Sequence, residues 1–259
     1  MHFLSMKSLE NLEKHCDEFV KVWNTRLDKK SISQSSQSRN QALIKIRSKA
    51  LKQLNLAAKD WEWEDHQLLN TWFSKQLSHN DNKWFVVAFF RLVTLPHEMF
   101  DAMIMAGILE ICPSSNRPFI EICIQHHGLP SVLQSLISYI KHGNNTEKAG
   151  AIKARYWATD FKNDGSLRGL KLEFRELILD EFIVNEDLSV RTNIVTYLEP
   201  EVYPENMHEK FSKVANIARN HDSEYIRNRI ATQLKDEKNM LIKNGRALVM
   251  AKPIIKPEG

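Results

Sequence analysis

The chain has 259 residues, of which 42% are hydrophobic, 26% charged and only 8 glycine, with a formal net charge of +4. This is enough chain to bury a sizeable core, and its longest unbroken apolar run, Trp84 to Phe90, falls far short of the roughly 18 to 20 residues of a transmembrane helix, so no membrane span is expected. The opening MHFLSMKSLENLEK meets charged residues before any apolar stretch of signal-peptide length, and Cys16, Cys112 and Cys123 stand without CxxC spacing; together these predict a reducing cytoplasm, with neither a disulfide framework nor a zinc module.

In chain order, Leu9, Leu12, Cys16, Phe19, Trp23 and Leu27 recur at three- and four-residue steps and predict an amphipathic helix over 6–27. KKSISQSSQSRNQ then reads as an exposed loop. A second helix is expected over 41–58, with Leu43, Ile46, Ala50, Leu54 and Ala57 inward, and a third over 64–77, presenting Leu68, Leu69, Trp72, Phe73 and Leu77. Residues 1–60 carry 12 Lys/Arg against 6 Asp/Glu, and from Lys29 to Lys59 there are 8 basic residues and no acidic one. The composition favours a solvated helix face beside a linker; the alternative is a surface for phosphate or an acidic protein. Trp61 and Trp72 stand close to three turns apart, which suits core packing better than a ligand box.

From here short helices alternate with turn chemistry. HNDN at 79–82 stops one helix and caps an apolar one, Trp84 to Val93. Pro96 precedes Glu98 to Ile111, CPSSNRP breaks the chain before Phe119 to His126, and Gly128 with Pro130 separates that helix from Ser131 to Lys141. HGNNTEKAG opens Lys148 to Ala158, and NDGSLRG precedes Leu170 to Val184. Asp187 opens 188–198, EPEVYPENM connects to His208 to Arg219, and Asp222 opens the last clear helix. No stretch alternates with period two, so no sheet is expected.

DLSVRTNIVTYL from Asp187 and DSEYIRNRIATQL from Asp222 share one grammar: with an offset of 36, Val190 falls on Ile226, Arg191 on Arg227, Ile194 on Ile230 and Leu198 on Leu234. These motifs, with NNTEKAGAIKARYWA, resemble the helix-opening signature of HEAT repeats, and the chain looks like uncharacterised bacterial HEAT-like proteins. The resemblance covers roughly residues 80 to 236 and is specific at the last two copies. It implies an all-α, right-handed α-solenoid of about five stacked antiparallel helix pairs. A helical cap with its basic Ser/Gln-rich loop (1–62) would precede the array (63–240), and a tail (241–259) would follow, Val249, Ile254 and Ile255 covering the last repeat.

That resemblance implies a non-enzymatic scaffold binding a protein or peptide on its concave face. Counting from the core positions, Lys153, Arg155, Trp157, Asn193, Tyr197 and Arg229 face solvent or a groove edge. Arg191 and Arg227 either hold an anion side by side on that surface or, in the favoured reading, pair with Asp187 and Asp222 to tie loops together. The alternative function is nucleic-acid binding, since DSEYIRNRIATQL also resembles the helices of HEAT-like DNA alkylation-repair glycosylases. No catalytic motif is present, and no cofactor is implied. The adjacent His126 and His127 diverge by about 100° on a helix, so no metal site is expected. HEMFD at 97–101 reads as an ordinary helix start.

Overall fold

The computed structural model describes residues 2–24, 48–49, 52–58, 66–112, 114–158, 165–198 and 203–244, and all regular structure among them is helical. The helices are α1 (His2–Asn24), α2 (His66–Leu77), α3 (Lys83–Phe89), α4 (Phe100–Leu109), α5 (Arg117–His142), α6 (Asn145–Ala154), α7 (Arg168–Val184), α8 (Leu188–Ile194), α9 (His208–Arg219) and α10 (Glu224–Asn244). A further helical stretch occupies 52–58. Trp61, the loop after Asp28, most of the basic 29–59 stretch, and Val249, Ile254 and Ile255 lie outside the described residues. Contacts divide the chain into two compact units, Met1–Ser135 with Trp157–Thr159, and Leu136–Tyr156 with Asp160–Gly259.

The first unit is built on aromatic packing. α1 buries Leu12, Cys16 and Phe19, the periodic face its sequence announces, and packs on α3. α2 packs on α3 and α4, and buries Leu69, Trp72, Phe73 and Leu77. Leu68, expected inward, is instead exposed, because it stands one position before Leu69 and so turns about 100° away. In α3, Phe85, Val86, Val87 and Phe89 are all buried, as its apolar circumference requires. The Phe73 ring lies 5.3 Å from Phe89 and 4.9 Å from Phe90, and Phe85 stacks 5.9 Å from Phe89. Each fully buried phenyl contributes about 1.5 to 3 kcal/mol through the water it sheds. α3 is shorter than the sequence suggests, since Arg91 and Leu92 leave it for solvent.

Within α5 the two helical stretches expected, Phe119 to His126 and Ser131 to Lys141, are separated by non-helical backbone at Gly128. Gly128 takes φ 82° and ψ 155°, a left-handed conformation that side chains avoid, and Pro130 follows without an N–H to give the helix ladder. The break expected from the sequence is therefore present, at Gly128.

In the second unit α6 packs on α8 and α8 on α10, while α7 packs on α9. Adjacent helices join these two layers, α7 to α8 and α9 to α10. The matched apolar residues, Val190, Ile194 and Leu198 on one copy and Ile226, Ile230 and Leu234 on the next, are all buried. Asp187 is the N-cap of α8, its carboxylate accepting from the Val190 N–H at 3.0 Å and its carbonyl from the Arg191 N–H at 3.0 Å. In α10 the equivalent carbonyl is that of Ser223, which accepts from the Arg227 N–H at 3.2 Å. The offset of 36 thus maps Asp187 onto Ser223, and Asp222 lies one residue before that cap position. α6 opens earlier than expected, on Asn144: the Asn144 side chain accepts from the Glu147 N–H, and the Glu147 carboxylate accepts from the Asn144 N–H. This capping box leaves no orphaned donor at either partner.

Candidate functional site

Four residues after each N-cap stands a basic side chain: Lys148 in α6, Arg191 in α8 and Arg227 in α10. All three occupy the first turn, where the side chain leans toward the preceding loop and the neighbouring layer. Lys148 Nζ donates to the Glu181 carboxylate of α7 at 2.5 Å. The Arg191 guanidinium lies 5.4 Å over the Phe182 ring, also of α7. Arg227 Nη1 donates to the carbonyls of His221 and Asp222, the latter at 2.7 Å. The ion pairing expected of Arg191 with Asp187 and Arg227 with Asp222 is therefore replaced: the Asp187 carboxylate caps its own helix, and Arg227 meets Asp222 through the backbone carbonyl.

The other sequence-selected residues are distributed as follows. Lys153 is half-buried on α6. Arg155, at the end of α6, lies 5.4 Å over Phe174, and burial is the largest cause lowering its pKa. Tyr197 is not at a groove edge: its hydroxyl donates inward to the Ile152 carbonyl at 3.0 Å, and burial pushes its pKa up. Tyr203 donates in turn to the Tyr197 carbonyl at 3.2 Å. Asn193 donates to the Ser189 carbonyl of its own helix at 2.8 Å, and Arg229 is exposed on α10. Trp157 belongs to the first unit, where the Arg117 guanidinium covers its ring at 4.9 Å.

What the structure does gather is a cleft of about 390 Å³ lined by Arg191, Asn216, Ile217, Asn220, His221 and Asp222. Of these the sequence points to Arg191 as a candidate contact residue and to Asp222 only as a helix opener and partner of Arg227. α8 supplies the arginine in its first turn, and α9 ends on the asparagines. The turn into α10 supplies His221 and Asp222. The Ser223 N–H donates to His221 Nδ1 at 2.9 Å, so in the neutral ring the proton sits on Nε2. Burial, then the charge of Arg191, lower the His221 pKa, with Asp222 opposing and Arg227 adding a little. Arg191 Nε is buried with no hydrogen-bond partner. The one legible signal was the Asn-His-Asp run at 220–222, a turn composition with donors and acceptors on short stems.

A second cleft, about 500 Å³, lies in the first unit among Gln67, Asn70, Thr71, Ser74 and Glu98. HEMFD forms the helix start expected of it, His97–Met99 being a 3-10 turn that runs into α4. Among the described residues, no three His, Cys, Asp or Glu side chains gather as a metal ion would need, and no helix is long and apolar enough to cross a membrane. No protein-family model, curated protein or solved structure matches the chain.

Proposed function

We propose that the chain is a non-enzymatic scaffold of HEAT-like helix pairs, about five in a right-handed solenoid, that binds a protein or peptide in the cytoplasm. The observation that carries this reading is the recurrence of one helix start three times. Asn144, Asp187 and Ser223 each open a helix whose fourth position is basic, and the three helices so opened pack in succession as one layer. A hairpin of this kind cannot bury its apolar flank alone, so repetition builds the core and leaves extended polar faces for a partner. Fold analogy by itself assigns no function. Support for a partner comes from residues set on those faces without a folding task visible in their position, Arg229 and Tyr225 among them.

Cross-linking and affinity capture from the native cell, followed by reconstitution with the purified candidate, tests the reading. The expected result is a one-to-one complex that charge reversal at Arg229 weakens and that persists across moderate salt. If the chain captured no specific protein and instead bound DNA or RNA, with affinity collapsing by orders of magnitude between about 50 and 200 mM salt, the scaffold reading would give way to the nucleic-acid one.

A further inference from the structure

We propose that the cleft beside Arg191 is a binding site for one carboxylate group carried by an acidic peptide, an inference that deepens the scaffold reading and rests on it. The donors in the cleft are fixed before any ligand arrives. Arg191 is oriented by its place over Phe182 and has a buried Nε with no partner. His221 is held as the Nε2–H tautomer by the Ser223 N–H on Nδ1, which makes it a hydrogen-bond donor at its other nitrogen. Asn216 accepts on Oδ1 from Asn220 Nδ2 at 3.3 Å, so its own amide nitrogen remains the group it offers outward. Asn220 also spends Nδ2 on the Asn216 carbonyl at 2.9 Å, which ties the wall together.

An acceptor-only ligand suits these donors, and the charge balance says which one. One guanidinium faces the cleft, the imidazole is neutral, and the exposed Asp222 stands at the rim. Arg227, bound to the His221 and Asp222 carbonyls, offsets the Asp222 charge, so the sum leaves the Arg191 charge and favours a monoanion over a phosphate dianion. A carboxylate matches the planar guanidinium fork with two oxygens and can take the His221 or Asn216 donor on a remaining lone pair. At about 390 Å³ and open to solvent, the cleft has room for more than a carboxylate alone, hence for the chain that presents it. The same openness screens the interaction, so the site contributes a subsite within a larger contact.

The test is a titration of the full-length chain followed by nitrogen NMR of the His221 ring and the Asn216 and Asn220 side-chain amides. The probes are acetyl-Ala-Asp-Ala-amide, its Asn counterpart, acetyl-Ala-Ala-Ala with a free carboxylate, sodium acetate and inorganic phosphate. The Asp peptide, the free-carboxylate peptide or both should shift these signals saturably, and which one does identifies a side-chain or a terminal carboxylate as the source. Arg191→Gln should weaken that binding at least about tenfold, and Arg191→Lys, which keeps charge and stem but not the fork, by less. Asp222→Asn should strengthen it by about two- to threefold. Circular dichroism confirms that each variant is folded. The inference is overturned if the Asn peptide shifts the signals as far as the Asp peptide, if acetate or phosphate binds as tightly as either carboxylate peptide, or if folded Arg191→Gln binds unchanged. Saturable peptide binding with no captured protein would defeat the scaffold reading alone, whereas a partner still held by Arg191→Gln with no peptide titration would defeat only the cleft.

Discussion

Lys148, Arg191 and Arg227 hold one position in three helices, yet each meets a different need. Lys148 answers Glu181, whose side chain is 10% exposed and which receives one further hydrogen bond, from Asn185 at 3.1 Å. A carboxylate this far from water depends on its cation, so Lys148→Met should cost about 2 to 4 kcal/mol, read as a fall in the urea midpoint. Adding Glu181→Leu should recover most of that loss, because both charges then leave together; a double variant no more stable than the single one would show that the pair is not the source. Lys83 and Glu110 make a similar pair in the first unit, with side chains 15% and 11% exposed, and the same cycle applies there. The cysteines divide by environment in the same way. Cys112 is exposed, and the Ser115 hydroxyl first, then the backbone at Ser114 and Ser115, lower its thiol pKa. Burial pushes Cys16 up to about 12 and raises Cys123 as well. Iodoacetamide should therefore alkylate Cys112 alone in the folded protein and reach the other two only on unfolding; native labelling of Cys123 would contradict its burial.

At the level of the helix, cap chemistry decides where elements begin, and closely approaching backbone decides where they stop. Gly143 ends α5 with its N–H donating to the Tyr139 carbonyl at 2.9 Å, directly before Asn144 caps α6. A Cβ on Gly143 would stand 2.5 Å from that carbonyl oxygen and 2.9 Å from the Glu147 side chain. Gly143→Ala must therefore shift the helix end or the capping box, and a loss of about 1 to 3 kcal/mol in thermal or urea unfolding is expected. Equal stability would mean that the turn relaxes freely. The same local chemistry explains what was legible beforehand. Asp187 opening α8, the buried faces of α1 and α2, and His208–Arg219 to the residue all follow from caps and periodicity within a few turns. The sequence pattern puts the start of α6 too late because Glu147 stands where the other copies have Val190 and Ile226, so the apolar register is lost there while the cap is kept. The cleft was illegible for a different reason. Arg191 and Asn216 to Asp222 meet only once α8, α9 and the turn into α10 are packed, and the stacking of Arg191 on Phe182 has no sequence period to betray it.

For the molecule as a whole, each of the two units holds a half-buried histidine whose surroundings disfavour the charged form. In the first, His127 has a buried Nε2 with no partner and a ring 5.1 Å from Phe100 and 5.7 Å from His97. Burial is the largest cause lowering its pKa, with His97 and His126 adding and backbone hydrogen bonds at Leu95 and Pro96 opposing. In the second unit His221 is depressed by burial, then by Arg191 and Arg227, against Asp222. Both folded values lie below the ordinary 6.5, so on acidification the unfolded chain takes up its protons first. The stability these neutral rings permit is whole above 6.5, drains away as the pH falls below it, and stops changing once the folded groups protonate too. Melting followed at about pH 7.5 and about pH 5.5 should show a lower midpoint in acid. Carboxylates also titrate toward that range, so the variants isolate the histidines: His127→Asn and His221→Asn should each flatten the fall, and together flatten it more. Because the two rings stand in separate units, their effects on slope should add, as independent sites do. A variant that kept the full acid dependence would show that its ring is already free to charge in the folded chain.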